Sequence, residues 1–243
     1  MQVSRQQEPP PKQIVENRRI QSVSIEIPEE TIITASVSAK RSSEISTGVI
    51  ITEKGDNLLV LINKRVRLPE NYEPSDLASI DGLVGTTYKG MLLRAEAAEA
   101  LGTMAKAAKK DKVSLIVLSA YRSYWSQEAT FSSWVGSAGL AAAETFSARP
   151  GHSQHQLGTA VDFTAESVNL GLTEYFTQSK EGAWLSQNAS KFGFVLSYPE
   201  GKEAITGYTY EPWHWRYIGV ENAQKMIASG LILEEFLQKF GVI

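Results

Sequence analysis

Short apolar runs and helical spacings succeed one another from residue 48 to residue 243. Residues 58–62, Leu-Leu-Val-Leu-Ile, form an unbroken apolar run that predicts a buried strand. Prolines at 69 and 74 make the next stretch a loop. Residues 92–110 are rich in Ala, Leu, Glu and Lys with apolar positions at helical spacing, which predicts the clearest helix of the chain. A strand over 113–118 and a helix from 123 to 135 follow. Residues 160–163 read as a strand just after Gly158, 180–192 as a helix ended by Gly193, 194–198 and 213–218 as strands, and 221–240 as two short helices broken at Gly230. Strands and helices mix without regular βαβ alternation, so the expected fold class is α+β.

Residues 1–47 have a different texture. They hold Pro9-Pro10-Pro11, scattered charges, a Ser/Thr/Ala-rich stretch over 34–47 and no aromatic residue. That composition predicts a linker or stalk, although 22–33 alternates apolar and polar positions in the manner of a strand. The expected organisation is an extended segment over 1–47 followed by one domain over 48–243.

Composition narrows the chemistry. The apolar share of 42% suffices for a core, and a net charge of −3 argues against nucleic acid or an anionic membrane surface as partner. With no cysteine, disulfides and thiolate metal sites are excluded, and any metal must sit on nitrogen and oxygen. No apolar run reaches the length of a membrane span and Met1 is followed by polar residues, so a leader or membrane anchor would have to precede residue 1.

All three histidines fall in two short segments: Pro150-Gly-His152-Ser-Gln-His155-Gln-Leu-Gly158-Thr-Ala160-Val-Asp162, and Glu211-Pro-Trp-His214-Trp-Arg-Tyr217. A catalytic zinc site usually offers three protein ligands and leaves a position open, and His155, Asp162 and His214 are the candidates. Gly158 lies between the first two and permits a turn into a strand that brings both side chains to one point. Glu211 precedes His214 across Pro212, where a tight bend aims it at the same point as general base toward a metal-activated water. His152 reads as a loop residue that orients a ligand or meets substrate. Trp213, Trp215 and Tyr217 alternate along a strand and read mostly as packing, with one ring walling a cleft.

The pattern Ser153-x-His155-x-x-Gly158-x-Ala160-x-Asp162 followed by Glu211-x-x-His214 resembles the VanY-type zinc D-alanyl-D-alanine carboxypeptidases, in the group shared with lysostaphin and hedgehog. Leu61-Ile-Asn-Lys64 with Leu68-Pro-x-x-Tyr72-x-Pro74, Ser119-Ala-Tyr-Arg122-Ser with Gln127, and Trp184-Leu-x-x-Asn188-Ala-x-x-Phe192-Gly-Phe194 carry the same resemblance, which spans roughly residues 48–243. It implies a small, mostly antiparallel sheet flanked by helices, and one Zn2+ per chain on His155, Asp162 and His214. It also implies that Arg122 stabilises the oxyanion and that Gln127 and Ser153 contact substrate, the terminal carboxylate among the groups they would meet. The activity implied is removal of the C-terminal D-alanine from peptidoglycan stem peptides or precursors, with D,D- or L,D-specificity, outside the cytoplasm and with any membrane contact made only through an anchor preceding residue 1. An endopeptidase of the same group is the alternative. A non-catalytic hedgehog-like zinc module is disfavoured because Glu211 and Arg122 are both present. A penicillin-binding serine peptidase lacks its motif here, since no lysine has a serine three positions before it.

Overall fold

The computed structural model describes residues 48–243; the linker or stalk expected over 1–47, with its strand-like stretch at 22–33, lies outside the described residues. In chain order the elements are β1 (Ile50–Ile51), β2 (Val66–Arg67), β3 (Leu77–Ser79), β4 (Gly85–Thr86), β5 (Leu92–Arg94), α1 (Ala95–Lys110), β6 (Ile116–Ser119), α2 (Tyr124–Ala138), α3 (Leu140–Phe146), β7 (Ala160–Thr164), α4 (Lys180–Asn188), β8 (Phe194–Leu196), α5 (Glu203–Thr206), β9 (His214–Tyr217), α6 (Val220–Ser229) and α7 (Leu233–Phe240). A five-stranded sheet of order β4-β6-β7-β9-β8 forms the frame, antiparallel except where β4 meets β6. This is the α+β architecture expected.

Two hydrophobic clusters cover the sheet, and the period-two alternation of its strands assigns side chains between them. Val161 and Phe163 of β7, with Trp215 and Tyr217 of β9, enter the cluster that contains α1. Ala97, Leu101, Met104 and Ala108 form the buried stripe of α1, at the i, i+4, i+7 spacing of one helix face. Leu101 is fully enclosed, and truncating such a side chain to alanine typically costs about 2–5 kcal/mol. Glu96 in the first turn and Lys109 and Lys110 in the last suit the helix dipole, and the Tyr217 hydroxyl donates to Glu96 at 2.6 Å. The second cluster gathers Val60, Leu61, Ile62, Leu157, Val195, Ile218 and the inner faces of α6 and α7.

Three expectations need correction. Val60, Leu61 and Ile62 are buried and Leu58 and Leu59 partly so, yet residues 58–62 form no strand beyond a single bridge from Val60 to Val242. Their backbone is satisfied differently: Leu61 N donates to Val242 O, Val242 N donates to Leu59 O, and the fully buried Arg216 guanidinium donates to Leu58 O and Val60 O at 2.9 and 2.8 Å. A side chain stands where a neighbouring strand would have been. The helix expected from 92 starts at Ala95, because Leu92–Arg94 pair antiparallel with Leu77–Ser79. The third correction is α3, which the sequence pattern did not predict; it folds back on α2 after Gly139, whose φ is +82°. The remaining expected elements are present within a few residues, including the break between α6 and α7 at Gly230.

Candidate active site

The sheet puts Asp162 of β7 in register with His214 of β9 and with Ser119 at the end of β6. Asp162 and His214 lie on the face opposite α1, since their odd-numbered neighbours Val161, Phe163 and Trp215 point into that cluster. His155 arrives from a 3-10 turn, Gln154–Leu157, capped by Ser153, whose Oγ accepts from His155 N at 3.3 Å. Gly158 ends the turn with φ +67°, and a Cβ there would stand 3.0 Å from Leu77 Cδ2 and 3.1 Å from Arg94 Cγ. The glycine is thus needed for both conformation and close packing. Glu211 is aimed back by the bend at Pro212, closed by His214 N donating to Glu211 O at 3.1 Å.

The structure brings together every member of the predicted triad. The ligand atoms of His155, Asp162 and His214 lie within 4.8 Å of one another. His155 Nε2 is 3.1 Å from Asp162 Oδ2, and His214 Nδ1 is 2.9 Å from Asp162 Oδ1 and 3.8 Å from Glu211 Oε2. All four side chains are buried.

Hydrogen bonding on the far side of each ring decides what faces the centre. His155 Nδ1 is 2.7 Å from Ala120 O, which can only accept, so this nitrogen carries the proton and Nε2 presents a lone pair. Gln154 Oε1 sits 3.2 Å from His214 Nε2 and accepts from Ser197 Oγ at 2.8 Å; Nε2 therefore carries the proton and Nδ1 presents its lone pair. Two imidazole lone pairs and a carboxylate then point at one another across about 3 Å, which is unfavourable unless a cation sits among them. Burial lowers the His155 pKa, opposing protonation of the ring as the way out, although Asp162 pulls in the other direction. A two-nitrogen, one-oxygen set that leaves a cleft-facing side open suits catalytic zinc.

The surrounding groups are placed for chemistry. Glu211 has its pKa raised well above the ordinary value, first by burial and then by the charge of Asp162, with Arg122 opposing. Burial also pushes Asp162 up, but the two histidines outweigh it and hold this carboxyl well below the usual range. The Arg122 guanidinium faces the same cleft, with Nη2 3.4 Å from Ser119 Oγ and a buried Nε that has no partner. Gln127, 2% exposed, donates from Nε2 to Ala148 O at 2.7 Å, and its buried Oε1 has no partner. The cleft, about 560 Å³, is walled on its apolar side by Trp134, Phe146, Leu172 and Trp213.

Two further placements bear on the expectations. His152 does not join the triad: its Nδ1 donates to Asn63 O at 2.7 Å. Gln154 was missed, and its only sequence signal is its place between Ser153 and His155, where a 3-10 turn sends its side chain toward the second histidine.

The chain has relatives of known family. A family model described as VanY, D-alanyl-D-alanine carboxypeptidase, matches residues 90–220. The chain is 41% identical to the Bacillus subtilis protein YodJ over 194 residues, covering 79% of this chain and 71% of that one. Among solved structures, the LdcB LD-carboxypeptidase superposes with a TM-score of 0.73 at 41% identity, covering 79% of this chain and 91% of LdcB. A variant of the vancomycin-resistance D,D-pentapeptidase VanY, solved with Zn(II), superposes at 0.62 with 34% identity over 74% of this chain and 98% of its own. With the family match spanning more than half of its length and a buried His-Asp-His cluster lying within the matched residues, this chain belongs to the VanY family of D-alanyl-D-alanine carboxypeptidases.

Proposed function

We propose that the chain is a zinc-dependent carboxypeptidase that removes the C-terminal D-alanine from peptidoglycan stem peptides, with residues 48–243 as its catalytic domain. The observation that carries this reading is the convergence of three electron-pair donors with no proton between them, at the floor of a cleft that also presents Glu211 and Arg122. His155, Asp162 and His214 would hold the ion. Zn2+ bound there supplies Lewis acidity, both to the scissile carbonyl and to a water.

The protein's own groups supply the rest. Glu211 takes the proton from the attacking water and returns it to the departing amine. The Arg122 guanidinium faces the oxygen on which negative charge develops. Gln127 commits one Nε2 hydrogen to Ala148 O and keeps its second amide hydrogen and a buried Oε1 that has no partner. It therefore suits a substrate peptide group, and the Arg122 guanidinium and the Ser153 hydroxyl are further donors for the terminal carboxylate. The apolar wall accommodates the methyl groups of alanine and excludes bulk water. Action on peptidoglycan implies a site of action at the cell envelope, outside the cytoplasm.

The test is mass spectrometry of stem pentapeptide and tetrapeptide after incubation with zinc-loaded protein, with chelated protein as control. Loss of alanine from the pentapeptide alone indicates D,D-activity, and loss from the tetrapeptide L,D-activity. Internal cleavage identifies an endopeptidase, and absence of any metal-dependent product overturns the proposal.

A further inference from the structure

The Leu61-Ile-Asn-Lys64 motif has no part in the triad, yet it is firmly built. Asn63 Oδ1 accepts from the backbone N–H groups of Arg65 and Val66 at 2.8 and 2.9 Å, its Nδ2 donates to Glu234 at 2.6 Å, and its carbonyl takes the His152 proton. This lock holds Lys64 over a second cavity of about 340 Å³, which shares Ser147 and Tyr208 with the catalytic cleft.

Lys64 is seated there by a cradle. Its stem lies on Gly207, where a Cβ would come 2.8 Å from Lys64 Cε, and its ammonium stands 4.0 Å from the centre of the Tyr208 ring. The ammonium donates to the Glu144 carbonyl, while Arg149 Nε donates to the Glu144 carboxylate at 2.6 Å. Only Arg149 pairs with the Glu144 carboxylate, so the two cations lining the cavity stand against one carboxylate and leave it a net positive charge. Burial lowers the Lys64 pKa, and although Glu144 offsets this, Arg149 adds to it. An ammonium and a guanidinium that line one cavity repel each other, and an anion seated between them relieves that repulsion.

We infer that the cavity between Lys64 and Arg149 is an anion subsite, taking a carboxylate that the stem peptide carries away from the scissile bond. The inference rests on the carboxypeptidase reading. Stem peptides offer such a group, because a γ-linked D-glutamyl residue leaves its α-carboxylate free. The terminal carboxylate lies beside the bond to be cut and so belongs with Arg122 and the triad. The subsite is reached past Ser147 and Tyr208.

Calorimetry on the zinc-loaded Glu211→Ala chain tests this with two peptides, L-Ala-γ-D-Glu-L-Lys-D-Ala-D-Ala and its D-isoglutamine counterpart. The acidic peptide should bind about tenfold more tightly, the size of one charge-assisted hydrogen bond. Lys64→Met, which keeps the stem in its cradle, should erase that preference while leaving the amidated peptide unchanged. Arg149→Gln provides the same comparison should Lys64→Met unfold on heating at a lower temperature. Equal binding of both peptides, or an equal loss for both in either variant, overturns the subsite while the carboxypeptidase reading stands. Binding of neither peptide overturns both.

Discussion

Gln154 accepts from His214: its Oε1 lies 3.2 Å from the imidazole Nε2, and the Ser197 hydroxyl, 2.8 Å from the same oxygen, holds the amide in place. The amide thereby decides which edge of His214 faces Asp162. Gln154→Leu should weaken zinc binding about 10–100-fold in a chelator competition, and Gln154→Glu, which can still accept, should recover most of it. Unchanged affinity in Gln154→Leu would remove the residue from this role.

Glu211 and His155 should fail in different ways. Glu211→Ala keeps all three proposed ligands, so it should retain zinc after dialysis while kcat falls by about 10²–10⁴. His155→Ala should lose zinc as well as turnover, by elemental analysis of the same preparation. Zinc content that is the same in both variants would refute the division between base and ligand.

Arg122 has a buried Nε without a partner and a long contact to Ser119, so little of its guanidinium is used structurally. Arg122→Met should lower kcat about 10²–10³-fold with little change in melting temperature. Arg122→Lys should recover only part, since an ammonium cannot reproduce the planar fork. A variant that melts early and turns over normally per folded molecule would make Arg122 a structural residue.

His152 bears on stability at low pH. Burial lowers its pKa; the Asn63 carbonyl opposes this, while Arg67, Arg149 and Lys64 add to it. The unfolded chain therefore binds this proton more readily, so the contribution is complete above a pH of about 6.5 and is lost as pH falls below it. His152→Asn, which can still donate to Asn63, should flatten the fall in stability of zinc-loaded protein as pH drops below about 6.5, by at most about 1.4 kcal/mol per pH unit. An identical slope in the variant would place the titration elsewhere.

The triad was legible because its pattern is local: a glycine turn carries His155 into the strand of Asp162, a second strand opens with His214, and three histidines leave few alternatives. Leu92–Arg94 misled because leucine and arginine favour helices, and only pairing with Leu77–Ser79 makes them a strand. Residues 58–62 misled for a different reason, since an apolar run reports burial and cannot report that Arg216 and Val242 supply its hydrogen bonds. Gln154 and the Lys64 cradle depend on partners 43 and more positions away, Ser197 for one and Gly207 for the other, which no local pattern encodes.

Among the described residues, neither hydrophobic cluster includes any side chain of α2 or α3, although Trp134 and Phe146 of that hairpin stack edge to face at 5.2 Å and line the cleft. This part of the wall is thus built apart from the two cores, whereas Trp213 of the same wall packs against the first of them. Inheritance can act on the hairpin and the cores separately. Changes on the hairpin can retune which peptide ends are accepted without taxing the strands that keep the enzyme folded, so a lineage can shift its wall chemistry while its catalyst stays the same.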